Sequence, residues 1–200
     1  MPYKIRFIPE RRLSLKMLGN RVRRSFPRLV YPAFLRIRFA FFRRRCDDVL
    51  LPSIAYSDGS WINRKTTADL RRITAFLAAR KERSSILQIG IGNSALFATI
   101  GDTVNRFVGI TIVSDEVEYA RTSFPDAFGL RYIVLLMNKY SDELASLEGG
   151  FDFIVDNDLS SYACCRHHFG SMLNAYRGLL APGGCVLIGI DGLGYFDSGF

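Results

Sequence analysis

Short apolar runs alternate along this chain with stretches whose apolar residues recur at helical spacing. Ile86, Leu87 and Ile89 form the core of one run, interrupted only by Gln88. Similar runs lie at 106–113, 132–137, 151–156 and 185–190, each rich in β-branched, aliphatic or aromatic residues. Runs of this length suit strands covered on both faces of a sheet. Between them, Leu70, Ile73, Phe76 and Leu77 share one face of a helix predicted over 63–83, which Thr66 or Thr67 can cap. Ser114, Asp115 and Glu116 open a second helix carrying Val117 and Ala120. A third is predicted over 166–180, with Phe169, Met172, Leu173 and Tyr176 on one face. Residues 181–184, Ala-Pro-Gly-Gly, stop it. Strand and helix alternating in this way predict an α/β domain with a doubly wound, mostly parallel sheet. In such a sheet, ligands bind outside the carboxyl ends of the strands, near the point where strand order reverses.

The first strand runs into Gly90-Ile91-Gly92-Asn93-Ser94-Ala95, where another helix can start. Glycines at such a turn let the backbone bend tightly and let a ligand approach the main chain. The free N–H groups of the helix that follows favour an anionic group. The pattern is that of a nucleotide-type cofactor loop. Gly90-x-Gly92-x-x-Ala95 also satisfies a permissive dinucleotide fingerprint, so a NAD(P)-binding oxidoreductase is one reading. Thr111 stands 21 positions after Gly90, where such enzymes carry a ribose-binding acid.

Composition adds a division within the chain. Residues 1–50 hold 14 lysines and arginines against three acids, a net of +11; the other 150 hold 13 against 16, a net of −3. Residues 1–62 therefore read as a basic, aromatic-rich arm and linker, and 63–200 as the α/β domain. Within residues 1–45 arginines interleave with Phe26, Tyr31, Phe34, Phe39, Phe41 and Phe42, while Pro27 and Pro32 oppose one continuous helix. Residues 35–41 alternate as a strand would, and the same residues also allow a helix. Such a segment suits an anionic membrane surface, with aromatics among headgroups and arginines on phosphates. Nucleic-acid phosphates and packing on the domain itself are the other readings. Trp61, just before the domain, is either a core anchor or a cover over a ligand.

No apolar run reaches the roughly 18 residues of a spanning helix, and arginines break every N-terminal apolar stretch. Cys46, Cys164, Cys165 and Cys185 show no disulfide framework, which points to a cytoplasmic protein, peripheral to the membrane if the arm binds lipid. Cys164-Cys165-Arg166-His167-His168 lacks the spacing of a structural zinc site, and no metal is assigned. His167 or His168 is a candidate general base.

Three segments, ILQIGIGNS at 86–94, FDFIVDND at 151–158 and LLAPGGCVLIGI at 179–190, resemble, in order, motifs of the class I S-adenosylmethionine-dependent methyltransferases. FVGITIVSDEVEYAR at 107–121 is similar to the second-strand region of that family. The resemblance covers about 85–190 and implies a Rossmann-like fold, S-adenosyl-L-methionine as cofactor, and methyl transfer to a small-molecule or lipid-linked acceptor. It implies cofactor contacts at Gln88, Gly90, Ile91, Gly92, Asn93, Ser94, Thr111, Ile112, Asn138 and Asp156. Asp156 and Asn157 are implied to orient the acceptor, with His167 as the candidate base. Gln88, Thr111 and Asn138 stand where the family carries acids, so the cofactor is held through neutral groups or the fold is kept as a non-catalytic scaffold. The family sheet has seven strands, whereas five are recognisable here. Either the sequence is cut short after the fifth, or this is a short form whose fifth strand is an exposed edge or is covered by a partner.

Overall fold

In the computed structural model, the described residues are 4–7, 59, 61–80, 82–159, 161, 163 and 166–189. The alternating stretch 35–41, the rest of the basic arm apart from 4–7, 59, 61 and 62, and Cys46, Cys164, Cys165 and Ile190 lie outside them. The elements are β1 (Lys4–Phe7), α1 (Ala68–Ala78), β2 (Ser84–Ile89), α2 (Ala95–Ile100), β3 (Val104–Thr111), α3 (Ser114–Ser123), β4 (Tyr132–Leu136), β5 (Phe151–Val155), α4 (Arg166–Leu179) and β6 (Leu180–Ile188). All pairings among the strands are parallel, in the order β1-β6-β5-β2-β3-β4. This is the doubly wound Rossmann-like sheet expected from the alternation of apolar runs. Strand order reverses at β2, which pairs with β3 through Gln88↔Gly109 and with β5 through Gln88↔Val155. The crevice of such a sheet opens there, above the carboxyl ends of β2 and β5.

Side chains alternate between two cores because successive strand residues face opposite sides. Ile86, Phe107, Tyr132, Phe153 and Leu187 pack against Ile73, Leu77, Leu96, Phe97 and Ile100 of α1 and α2. Leu87, Val108, Ile110, Ile154 and Val186 pack instead against Met172 and Tyr176 of α4 and Leu144 of a 3-10 turn. Thr67 caps α1, accepting the Leu70 N–H at 3.2 Å, as its position before the apolar face predicts. The helix is shorter than the predicted 63–83, because residues 61–63 form a turn ahead of the cap.

Two features depart from the linear reading. The edge beside β6 is neither bare nor left to a partner, since Lys4–Phe7 lies along it from Lys4↔Cys185 to Phe7↔Ile188. The arm drawn over 1–62 therefore contributes four of its residues to the sheet. Their short alternation is hidden in an arginine-rich context, and only the waiting edge of β6 gives it a partner.

The second departure is at residues 181–184. They do not precede β6 but bulge from it, since Phe151 pairs with Leu180 and Phe153 next with Cys185. Gly183 has φ +84°, and a Cβ on Gly184 would lie 2.8 Å from the Phe151 carbonyl oxygen. Glycine is needed at the first for its dihedral and at the second for close backbone approach.

Gly109 in β3 answers a different constraint. A Cβ there would lie 2.4 Å from Cγ2 of the buried Ile91, so the missing side chain is the socket for the residue between the two loop glycines. Gly109→Ala is expected to destabilise the protein by about 1–3 kcal/mol through overpacking. Combined with Ile91→Ala, which removes Cγ2, it is expected to cost less than the two single changes added together. Urea unfolding of the three variants measures this.

Candidate functional site

The loop after β2 is shaped by three left-handed residues in five: Gly90 (φ +73°), Gly92 (+50°) and Ser94 (+56°). The Gly90 N–H donates to the Ile110 carbonyl at 2.8 Å, and the Ser94 N–H to that of Ile91 at 2.9 Å. A Cβ on Gly90 or on Gly92 would meet nothing within 4 Å. The glycines thus serve the dihedrals while leaving room in front of the backbone, which is the shape a ligand requires. The helix that follows has only six residues, so its dipole adds less here than the sequence implied.

The neighbouring side chains are sorted sharply by burial. Gln88 is 3% exposed; its Nε2 donates to the Gly90 carbonyl at 3.0 Å, and its Oε1 is buried with no partner among the described residues. Ile91 is turned into the core and offers only its backbone. Ser94 is fully buried and bonded to the Tyr132 hydroxyl at 2.8 Å, so its hydroxyl does not face the loop opening. Burial raises the Tyr132 phenol well above its ordinary value and keeps it neutral. Asn93 Nδ2 donates to the carbonyls of Ile62 (3.0 Å) and Arg64 (3.2 Å), which ties the segment before α1 to the glycine loop. Trp61, at the start of that segment, packs edge-on against Tyr119 of α3 and has a buried Nε1 with no partner among the described residues.

At the end of β3, Thr111 is 4% exposed and satisfied internally. Its hydroxyl donates to Glu116 Oε2 at 2.6 Å, and its oxygen accepts the Val113 N–H at 3.2 Å. Ile112, next in the chain, is partly exposed. The same Glu116 oxygen accepts the Gly92 N–H at 3.1 Å. An acid is therefore present beside the loop, reaching it from the first turn of α3 rather than from the strand end. Burial raises the Glu116 carboxyl above its ordinary value, and the hydrogen bonds from Thr111 and Gly92 pull the other way. In the sequence Glu116 is visible only as a first-turn acid of a helix. The connection from β3 into α3 is what brings it to Gly92.

After β4, Asn138 accepts the Tyr140 N–H on Oδ1 at 2.9 Å, a local turn. Lys139 is 7% exposed, and its Nζ lies 3.2 and 3.1 Å from the two oxygens of Asp156, which is 1% exposed. The Tyr176 hydroxyl donates to Asp156 Oδ2 at 2.8 Å. Asp156 is thus engaged within the protein on the α4 side. Asn157 follows it with a buried Oδ1 that has no partner among the described residues. Two residues before Asn157, Val155 is the register partner of Gln88, so the two unpaired oxygens belong to adjacent strand ends. Asp158 is half-buried, and burial followed by the nearby Asp156 raises its carboxyl above the usual range. His167 and His168 stand in the first turn of α4, with ring centroids 5.4 Å apart, His167 exposed. Lys139 carried no signal in the sequence, because its partner lies across the sheet.

No family model and no curated protein matches this chain. Solved structures with a similar fold include N-methyltransferase NodS from Bradyrhizobium japonicum, with TM-score 0.49 and 17% identity over 58% of this chain and 63% of that one. DesVI from Streptomyces venezuelae matches with TM-score 0.48 and 18% identity, over 66% of this chain and 51% of that one. CalS10, an amino pentose methyltransferase from Micromonospora echinaspora with S-adenosylmethionine bound, matches with TM-score 0.47 and 18% identity, over 64% and 52%. This chain spans less than two thirds of the length of each.

Glu116 makes the local structure pH-dependent. Its folded carboxyl binds a proton more tightly than an unfolded one, so its contribution favours folding below the ordinary glutamate range and is lost as pH rises through the raised folded value. Stability of the wild type relative to Glu116→Gln is therefore expected to fall as pH rises through that window. Denaturant unfolding of both proteins at stepped pH measures the difference.

Proposed function

We propose that this chain is an S-adenosylmethionine-dependent methyltransferase whose cofactor lies across the glycine loop at the reversal of strand order. The observation that carries the reading is the set of unpaired buried polar atoms at this rim: Gln88 Oε1, Asn157 Oδ1 and Trp61 Nε1. Leaving such an atom unpaired costs about 1–3 kcal/mol, so a ligand that supplies the complementary groups recovers that free energy. Two of the three are acceptors, which suits a ligand with N–H donors, and the open space before Gly90 and Gly92 suits its close approach. The motif resemblance at 86–94, 151–158 and 179–190 selects S-adenosylmethionine over a dinucleotide.

Within this reading, the residues divide the work. Gln88 Oε1 accepts from the ammonium end of the cofactor, and the backbone of 90–92 lies against it. Glu116, already aligned by Thr111 and Gly92, offers its other oxygen to the ribose hydroxyls. Ile112 and Asn138 border the base. S-adenosylmethionine supplies a methyl group on a positively charged sulfur, so the protein's task is to position the acceptor in line and exclude water. Asn157 serves both ligands, its Oδ1 accepting from an N–H donor of the cofactor and its Nδ2 orienting the acceptor; His167, exposed at the start of α4, is the candidate to take the acceptor's proton. The retained-scaffold reading predicts no binding.

The acceptor proposed is a small or lipid-linked molecule, with residues 1–45 meeting an anionic surface. None of the helices among the described residues is long and apolar enough to cross a membrane. Changing Arg36, Arg38, Arg43, Arg44 and Arg45 to glutamine leaves β1 in place. It is expected to abolish sedimentation with phosphatidylserine-containing liposomes, and unchanged sedimentation rejects the surface role.

Calorimetric titration of the full chain with S-adenosylhomocysteine tests the cofactor. Binding is expected, weakened about tenfold by Gln88→Leu and by Glu116→Ala, each near 1.4 kcal/mol. Absence of heat with the folded wild type rejects methyl transfer in favour of the scaffold.

A further inference from the structure

Both chain neighbours of Asn157 are held by one ammonium group. Besides its pair with Asp156, Lys139 Nζ lies 2.8 Å from the Asp158 carbonyl oxygen, 3.1 Å from that of Leu159 and 3.3 Å from Ser161 Oγ. Tyr140, the next residue, donates its hydroxyl to the Ser161 carbonyl at 2.7 Å. Lys139 follows β4 and Asp156 follows β5, and in the sheet β3 and β2 stand between those strands. The contact therefore spans the carboxyl-end rim rather than joining neighbours. It fixes the 156–159 turn whose apex carries the unpaired Asn157 oxygen.

Stability alone is a poor account of this arrangement. Replacing a buried ion pair by neutral groups of similar volume is often neutral or favourable, because desolvation offsets the Coulomb attraction. What an ammonium provides and a hydrocarbon does not is a set of directed donors, and here, beside Asp156, they reach two main-chain carbonyls of a single turn.

We propose that Lys139 is a positioning residue for the cofactor site, holding the 156–159 turn so that Asn157 Oδ1 accepts a hydrogen bond from an N–H donor of the bound ligand. The proposal rests on the cofactor reading above and adds a function for a residue outside the glycine loop. Lys139 acts through Asn157 and need not touch the ligand. Asp156, in turn, keeps the ammonium in place, with Tyr176 holding the carboxylate from the α4 side.

The test is calorimetric titration of S-adenosylhomocysteine into the full chain, its Lys139→Met/Asp156→Asn double variant, Asn157→Ala, and the triple combination. The double variant leaves no uncompensated charge, so it is expected to fold with a thermal midpoint near wild type, which Lys139→Met alone is not. It is nevertheless expected to bind S-adenosylhomocysteine at least tenfold more weakly, as is Asn157→Ala. The triple variant is expected to be no weaker than either, because the two changes act on one contact. Wild-type affinity in the folded double variant overturns the proposal, as do losses that multiply in the triple. Should the double variant not fold, Asn157→Ala decides, and unchanged affinity there overturns the proposal. A wild-type protein that binds no S-adenosylhomocysteine removes the cofactor reading itself, and the proposal falls with it.

Discussion

The seating of Ile91 on Gly109 is the contact on which the site depends. A loop with left-handed residues at 90, 92 and 94 has little reason to hold one shape in isolation, since glycine gives the backbone freedom in every direction. Burying the Ile91 side chain, worth roughly 1.5–3 kcal/mol, anchors the middle of that loop to the neighbouring strand. The socket exists because residue 109 has no Cβ, and it sits beside Gln88 in the strand register. Once Ile91 is fixed, the backbone of Gly90 and Gly92 faces open space, and the Gly92 N–H is delivered to Glu116.

Around that anchor the protein gathers polar groups in two different conditions. On one side, Glu116, Thr111 and Gly92 satisfy one another, and Lys139, Asp156 and Tyr176 do the same beyond β5. Between them stand the unpaired oxygens of Gln88 and Asn157. Satisfied networks rigidify the rim, whereas the unpaired atoms at its centre are the groups with hydrogen-bonding capacity to spare. This contrast separates residues whose polar groups are satisfied within the fold, Asp156 and Ser94 among them, from residues with a polar atom to spare.

Much of this was legible in the linear chain. The five apolar runs and the helices between them are set by local periodicity, and each occurs in the structure within a few residues of its predicted place. The glycine loop is legible too, because glycine is chosen for dihedrals that are properties of single residues. What the chain did not disclose is any feature whose reason lies in another strand. Gly109 reads as one small residue in a strand until Ile91 is placed over it. Lys4–Phe7 looks like part of a basic tail until the edge of β6 needs a partner. Residues 181–184 look like the end of a helix until pairing on both sides turns them into a bulge.

The sequence by itself determined the α/β class, the order of elements and the position of the glycine loop, because hydrophobic periodicity and backbone dihedrals are local quantities. Only the tertiary structure decided which side chains serve that loop. It brought Glu116 to the place where Thr111 leaves no acid, and it carried the Lys139 ammonium past two strands to the turn that bears Asn157. The physical reason is the same in both cases. Hydrogen bonds and ion pairs act over about 3 Å in space, and distance along the chain contains no record of which residues the sheet will bring that close.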